Sequence, residues 1–253
     1  TTATIQRKGL TITGITAADK VYDQSAAATV STAGVNLAGL MTGDAVSVNA
    51  TGSFRNAANT ADDANVAWSS GSPSQLASKT VSLTLGISGN DSSNYSIITS
   101  APGASQTTTT ATITPKTLTI SGLTAADKVY NRNVAATIDF SGAVFGGLIS
   151  GDQVTITGAS GNFRNALNTA NDWSVGAGKT VAIATTYGGN QLSNYSVVDQ
   201  RTTTATITPA TLTISGITVA DRIYNGTNVA TPVTTSISFG GLFSGDQISV
   251  AST

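Results

Sequence analysis

Three residue types are missing from this sequence: there is no histidine and no cysteine, and all 13 acidic residues are aspartates, so there is no glutamate either. Catalytic triads built on His or Cys, cysteine-rich zinc sites and thiol redox chemistry are thereby excluded by inventory. The Glu-based metalloprotease helix goes with them. With no disulfide to restrict the unfolded chain, the fold must stand on its apolar core. Charge is sparse and balanced, with 12 Lys and Arg against 13 Asp in 253 residues. The cations are scattered, so the clustered positive surface that displaces counterions from a phosphate backbone is lacking, and nucleic acid is not an expected partner. No apolar run approaches the roughly 20 residues that cross a bilayer as a helix, so membrane insertion is not expected.

What is present is repetition. "TTATITPKTLTISGLTAADKVY" (residues 109–130) returns as "TTATITPATLTISGITVADRIY" (203–224) and as "TTATIQRKGLTITGITAADKVY" (1–22). "LMTGDAVSV" (40–48) matches "LISGDQVTI" (148–156) and "LFSGDQISV" (242–250). The spacing from Tyr22 to Asp44, from Tyr130 to Asp152 and from Tyr224 to Asp246 is 22 residues each time, so this part of the repeat tolerates no insertion. The second part differs in length between copies, and its variable stretches are expected to be surface loops. Residues 1–7 read as the closing strand of a preceding repeat, 8–115 as repeat one, 116–209 as repeat two, and 210–253 as the first half of repeat three. Copies of this size suit small domains rather than solenoid units.

Within a copy the apolar period is two: Leu118 and Ile120 alternate with Thr, and Val154 and Ile156 with polar residues. Such alternation buries one side of a strand. Thr suits it, because its branched Cβ favours extended backbone while its hydroxyl tolerates water. The pattern predicts an all-β chain of about seven short strands per copy and no helix, arranged as Ig-like antiparallel β-sandwich modules. The closing "TTATIT" runs through Pro115 or Pro209 into the next copy with no Gly/Ser linker. These two prolines are the expected inter-module joints, since Pro ends a hydrogen-bond ladder while keeping the chain extended. Stacking end to end as an elongated rod follows.

Three recurring features could carry chemistry. The octet "AADKVYDQ" (17–24) recurs at 125–132 and 219–226. It offers no general base with a partner, so the expectation is a structural turn. Asp19, Asp127 and Asp221 would accept backbone N–H bonds in Asx-type turns, and Tyr22, Tyr130 and Tyr224 would bury their rings and satisfy their hydroxyls locally. Asp44, Asp152 and Asp246 in the Gly-Asp loops are weak candidates for a cation site, because each loop supplies one carboxylate where Ca²⁺ takes 6–8 oxygens. Trp68 and Trp173 are read as core-edge anchors or sugar platforms, Asn94 and Asn194 as loop formers, and the Arg of Phe54-Arg55-Asn56 and Phe163-Arg164-Asn165 as a clasp within its own module. No catalytic residue and no cofactor is expected.

With these motifs in view, the chain resembles the YDG-type repeat modules of large bacterial surface and secreted adhesins, including filamentous haemagglutinin-like proteins. The resemblance rests on "TATITPKTLTISGLTAADKVYN", the following "SGDQV", "GKTV" and "SNYS", and the closing "TTATITP". The name-giving tripeptide is altered to Tyr22-Asp23-Gln24, Tyr130-Asn131-Arg132 and Tyr224-Asn225-Gly226. What the resemblance implies is a stalk or spacer in adhesion and biofilm matrix, extracellular or on the bacterial cell surface, with no catalysis. Its partners would be neighbouring repeats, other copies of the protein, or extracellular polysaccharide. Two rivals remain open: a glycan- or cation-binding module acting through the loops at 59–78 and 168–178, and a fibre subunit completed by strand addition between chains.

Overall fold

In the computed structural model, residues 1–70 and 75–250 are described. They form an all-β structure of several sheets, with two short 3₁₀ turns at Ser92–Asn94 and Leu192–Asn194 and no α-helix among the described residues. In the first copy one sheet holds Asn36–Ala38, Lys8–Thr13 and Tyr95–Ile97. A second orders Thr108–Ala111, Lys79–Ser88, Ser47–Phe54 and Ala27–Ala28. The long antiparallel pair in that sheet runs in register from Ser47 opposite Ser88 to Phe54 opposite Val81.

The sheets are mixed, where wholly antiparallel pairing was expected. Lys8–Thr13 runs parallel to Tyr95–Ile97, and Lys116–Ser121 runs parallel to Tyr195–Val198, with Lys8 opposite Tyr95 and Lys116 opposite Tyr195. Ile113–Thr114 likewise lies parallel to Lys20–Val21. Parallel neighbours need a long connection, and most of a copy supplies it: the chain leaves the first strand, builds the second sheet and returns beside its starting point.

Period two governs burial. Leu10 and Ile12 are buried in the first strand and Leu118 and Ile120 in its counterpart, while their Thr neighbours face outward. Phe54, Phe163, Val81 and Val181 are fully buried at equivalent places in the two copies. Lys79 shares the inward row of Val81 and Leu83, and its charge is met by Asp63 Oδ2 at 2.5 Å and the carbonyl of Asn65 at 2.9 Å. Lys179 repeats this with Asp172 at 2.6 Å. These two ion pairs neutralise charges that the inward rows could not otherwise hold.

The strand Ile113–Thr114 ends at Pro115 and the next begins at Lys116, whereas after Pro209 the ladder resumes only at Thr213. Residues 1–7 carry no strand and are exposed, unlike the equivalent Thr108–Ala111, which pairs with Lys79–Ser88. In the third copy Ile214, the counterpart of Ile120, is half exposed, because no third version of "GKTV" or of the closing strand follows it among the described residues. The chain divides into two compact units: residues 1–119, 145–155 and 188–198, and residues 120–144, 156–187 and 199–253. The division runs through the second copy and not between copies.

Two outcomes follow from this packing. Phe54→Ala should cost about 3–5 kcal/mol in denaturant unfolding, the usual penalty for an emptied aromatic core site. The Lys179 hydrogen bond, helped by Ser174, holds the Asp172 carboxyl down at about 2. Burial pushes Asp63 up, but hydrogen bonds from Lys79 and Asn65 outweigh it and leave its carboxyl below the usual range. A carboxylate with a depressed folded-state pKa stabilises fully above its unfolded value near 4 and loses that contribution as pH falls towards 2. Unfolding midpoints at pH 5, 3 and 2 should fall in that window, and Lys179→Met should flatten the fall.

Candidate functional site

The Gly-Asp loops are built alike in all three copies. A hydrogen bond closes each turn, from Asp44 N to Met41 O at 3.2 Å, Asp152 N to Ile149 O at 3.1 Å and Asp246 N to Phe243 O at 3.0 Å. The residue before the Asp is Gly43, Gly151 or Gly245 with φ of +98°, +97° and +91°, a left-handed conformation that glycine adopts without steric cost. In the first two copies a tyrosine of the same copy braces the turn. The Tyr95 hydroxyl accepts from Met41 N at 3.0 Å and donates to Asp44 Oδ2 at 2.5 Å. Tyr195 does the same with Ile149 N at 3.0 Å and Asp152 Oδ2 at 2.5 Å.

The remaining carboxylate oxygen of Asp152 is taken from outside the copy. Tyr22 donates its hydroxyl to Asp152 Oδ1 at 3.2 Å, and Gln24 Nε2 donates to the same oxygen at 2.6 Å. The Tyr22 and Tyr195 rings meet edge to face, with centroids 5.6 Å apart. The pattern returns one copy later. Tyr130 donates to Asp246 Oδ1 at 2.9 Å, packs edge-on against Phe243 at 5.7 Å, and Arg132 pairs with Asp246 at 3.2 Å. The first seam lies wholly within the first compact unit and the second within the other.

This corrects the expected local satisfaction of the tyrosines, whose acceptors lie 130 and 116 residues onward. It also splits the predicted burial: Tyr22 is 4% exposed, Tyr130 is half-buried and Tyr224 is 90% exposed. The loop that follows Tyr224, Ser244-Gly245-Asp246, belongs to its own copy and is bonded by Tyr130. Asp19 and Asp127 do accept backbone N–H bonds, but not in Asx turns. Asp19 Oδ1 reaches Thr112 N and Asp127 Oδ1 reaches Thr206 N, both at 2.6 Å, tying the octet to the closing strand of its copy. Asp221 is exposed, and no third closing strand lies among the described residues. The Asx turn sits four residues later, where Asp23, Asn131 and Asn225 accept from the amides of Ser25, Asn133 and Thr227.

At least one carboxylate oxygen of each of Asp44, Asp152 and Asp246, weighed for a cation, is thus taken by a phenol, amide or guanidinium donor, and no cluster of three acidic side chains lies among the described residues. Asn194 does more than shape a loop. It is 1% exposed; its Oδ1 accepts from Val66 N at 2.9 Å and its Nδ2 donates to Asn65 Oδ1 at 2.8 Å. Trp68 donates its indole N–H to Ser193 O at 3.0 Å. Trp68 and Trp173 are not equivalents: the Lys-bonded Asp63 and Asp172 align, which puts Trp173 opposite Ala64. Arg55 pairs with Asp62 and Arg164 bonds Asn171 and Asn168, both within their modules. Part of the loop at 59–78, residues 71–74, lies outside the described residues. Asn194 escaped sequence reading because its exposed twin Asn94 is indistinguishable from it in pattern.

The YDG domain profile matches residues 6–108, 114–205 and 208–253. No curated protein and no solved structure matches the chain significantly.

Burial, then the hydrogen bond to the Asp152 carboxylate, push both Tyr22 and Tyr195 up to about 12. A phenol whose folded-state pKa is raised contributes stability that is complete below its unfolded value near 10 and is lost as pH rises through 12. Absorbance titration of the phenols should show Tyr22 and Tyr195 among the late ones, with stability declining over the same window. Asp152→Ala should return them towards 10 and lower stability by about 2–3 kcal/mol, as expected for buried donors left without an acceptor.

Proposed function

The chain belongs to the YDG-domain family, and on that premise we propose that it serves as a structural stalk or spacer in an extended bacterial surface or secreted adhesin. In this reading each copy is an Ig-like β-sandwich, the copies stack end to end as a rod, and the task of the segment is reach and mechanical continuity. It performs no catalysis and works outside the cell. The observation that carries the reading is the seam made twice by the same parts. The tyrosine of one copy is hydrogen-bonded to the Ser-Gly-Asp loop of the next, at Asp152 and again at Asp246. A joint that recurs with the repeat is what a stack requires, because each copy then presents one end to its predecessor and the other to its successor. Support also comes from the use of the Asp carboxylates within and between copies, which leaves the loops better suited to holding neighbours than to holding a cation.

Small-angle scattering of the chain tests this. A compact protein of this length has a radius of gyration of about 18 Å. The stacked arrangement should exceed about 25 Å, with a pair-distance function that has a long tail. A value near that of a globule overturns the proposal.

A further inference from the structure

The third position of the family's Tyr-Asp-Gly tripeptide holds Gln24, Arg132 and Gly226 in the three copies. All three have left-handed backbone, with φ of +64°, +56° and +77°. Glycine occupies that region freely, whereas a residue with a Cβ is strained there. Two copies therefore carry a long polar side chain at a position whose backbone favours glycine. The side chains have matching destinations. Gln24 Nε2 donates to Ser150 O at 3.2 Å and to Asp152 Oδ1 at 2.6 Å. Arg132 Nη1 donates to Ser244 O at 2.6 Å and lies 3.2 Å from Asp246 Oδ1. Ser150 with Asp152 and Ser244 with Asp246 are equivalent places in the following copy, reached by an amide in one case and a guanidinium in the other.

We propose that this position is a clasp that sets how firmly one YDG copy is held to the next, a role that rests on the stacking read above. A long donor locks the tyrosine's copy onto the next Ser-Gly-Asp turn, and glycine at this position leaves the tyrosine to make the joint alone. At the second seam a Cβ at Gly245 would crowd Arg132 Nη1, whereas at the first a Cβ at Gly151 would only touch Gln24 Nε2 at 3.9 Å, so the larger clasp alone needs the room. The two clasps differ in kind: Gln24 makes a neutral-to-charged bond, Arg132 an ion pair that dissolved salt screens. The two joints are thereby graded, one insensitive to salt and one sensitive.

The test reads the first seam through Val66, whose amide donates across it to Asn194. Hydrogen exchange is followed in the full 253-residue chain and in Gln24→Gly, Gln24→Ala and Gln24→Arg. Gln24→Gly relieves the backbone and removes the donor, so Val66 should exchange about tenfold faster while core amides such as Val81 keep their protection. Gln24→Ala should match it at Val66 but weaken the first copy as a whole, since Ala retains the strain without the bond. Gln24→Arg should restore slow exchange at low salt and lose it by 1 M NaCl. If Val66 is protected in the parent chain and unchanged in Gln24→Gly, the clasp is wrong and stacking survives. If Val66 is unprotected in the parent chain, the seam itself does not hold in solution and both ideas fall.

Discussion

The arrangement depends on one carboxylate being able to accept more bonds than its own copy uses. Asp152 takes the Tyr195 hydroxyl on one oxygen and Tyr22 with Gln24 on the other. An ionised carboxylate has about four lone-pair sites, so three donors satisfy it without crowding. A neutral Asn at this place would turn one acceptor into a donor facing donors. The same group therefore closes the turn of its own copy and anchors the copy before it, which couples local folding to the order of the repeats.

Around that carboxylate the seam is finished by groups that would be costly to bury alone. Asn194 exchanges both ends of its amide with the loop at Asn65 and Val66, and the Trp68 indole reaches a carbonyl while its ring stays partly wet. The second seam keeps Tyr130, Asp246 and Arg132 but has no counterpart of Trp68, and Val175 is exposed where Val66 is buried. Its tyrosine meets Phe243 where the first meets Tyr195. The tyrosine-to-aspartate bond is thus the common part, and the aromatic and amide contacts are variations on it.

The strands were legible because burial alternates with period two: Leu10 and Ile12, Leu118 and Ile120, Ala205 and Ile207 all fall inward as their spacing with Thr requires. The Gly-Asp turns were legible because Gly followed by Asp is common turn chemistry. Parallel pairing was not, since alternation specifies which face a residue takes and is silent on the direction of the neighbouring strand. Asp19 and Asp127 were misread for a related reason. A short acceptor beside a turn looks the same whether it bonds two residues on or, as here, to Thr112 and Thr206 on a strand formed far later in the chain.

By itself the sequence determined the repeat, the period-two strands, the positions of the turns and the constant interval between each tyrosine and the Asp that follows it, because these are properties of a few neighbouring residues and their backbone preferences. Only the tertiary structure decided that Tyr22 answers to Asp152 while Asp44 is kept by Tyr95. The three Gly-Asp loops are chemically alike, so nothing in their composition says which tyrosine each receives. That choice belongs to the placement of one folded copy against the next, where a few ångströms separate a made hydrogen bond from a missed one.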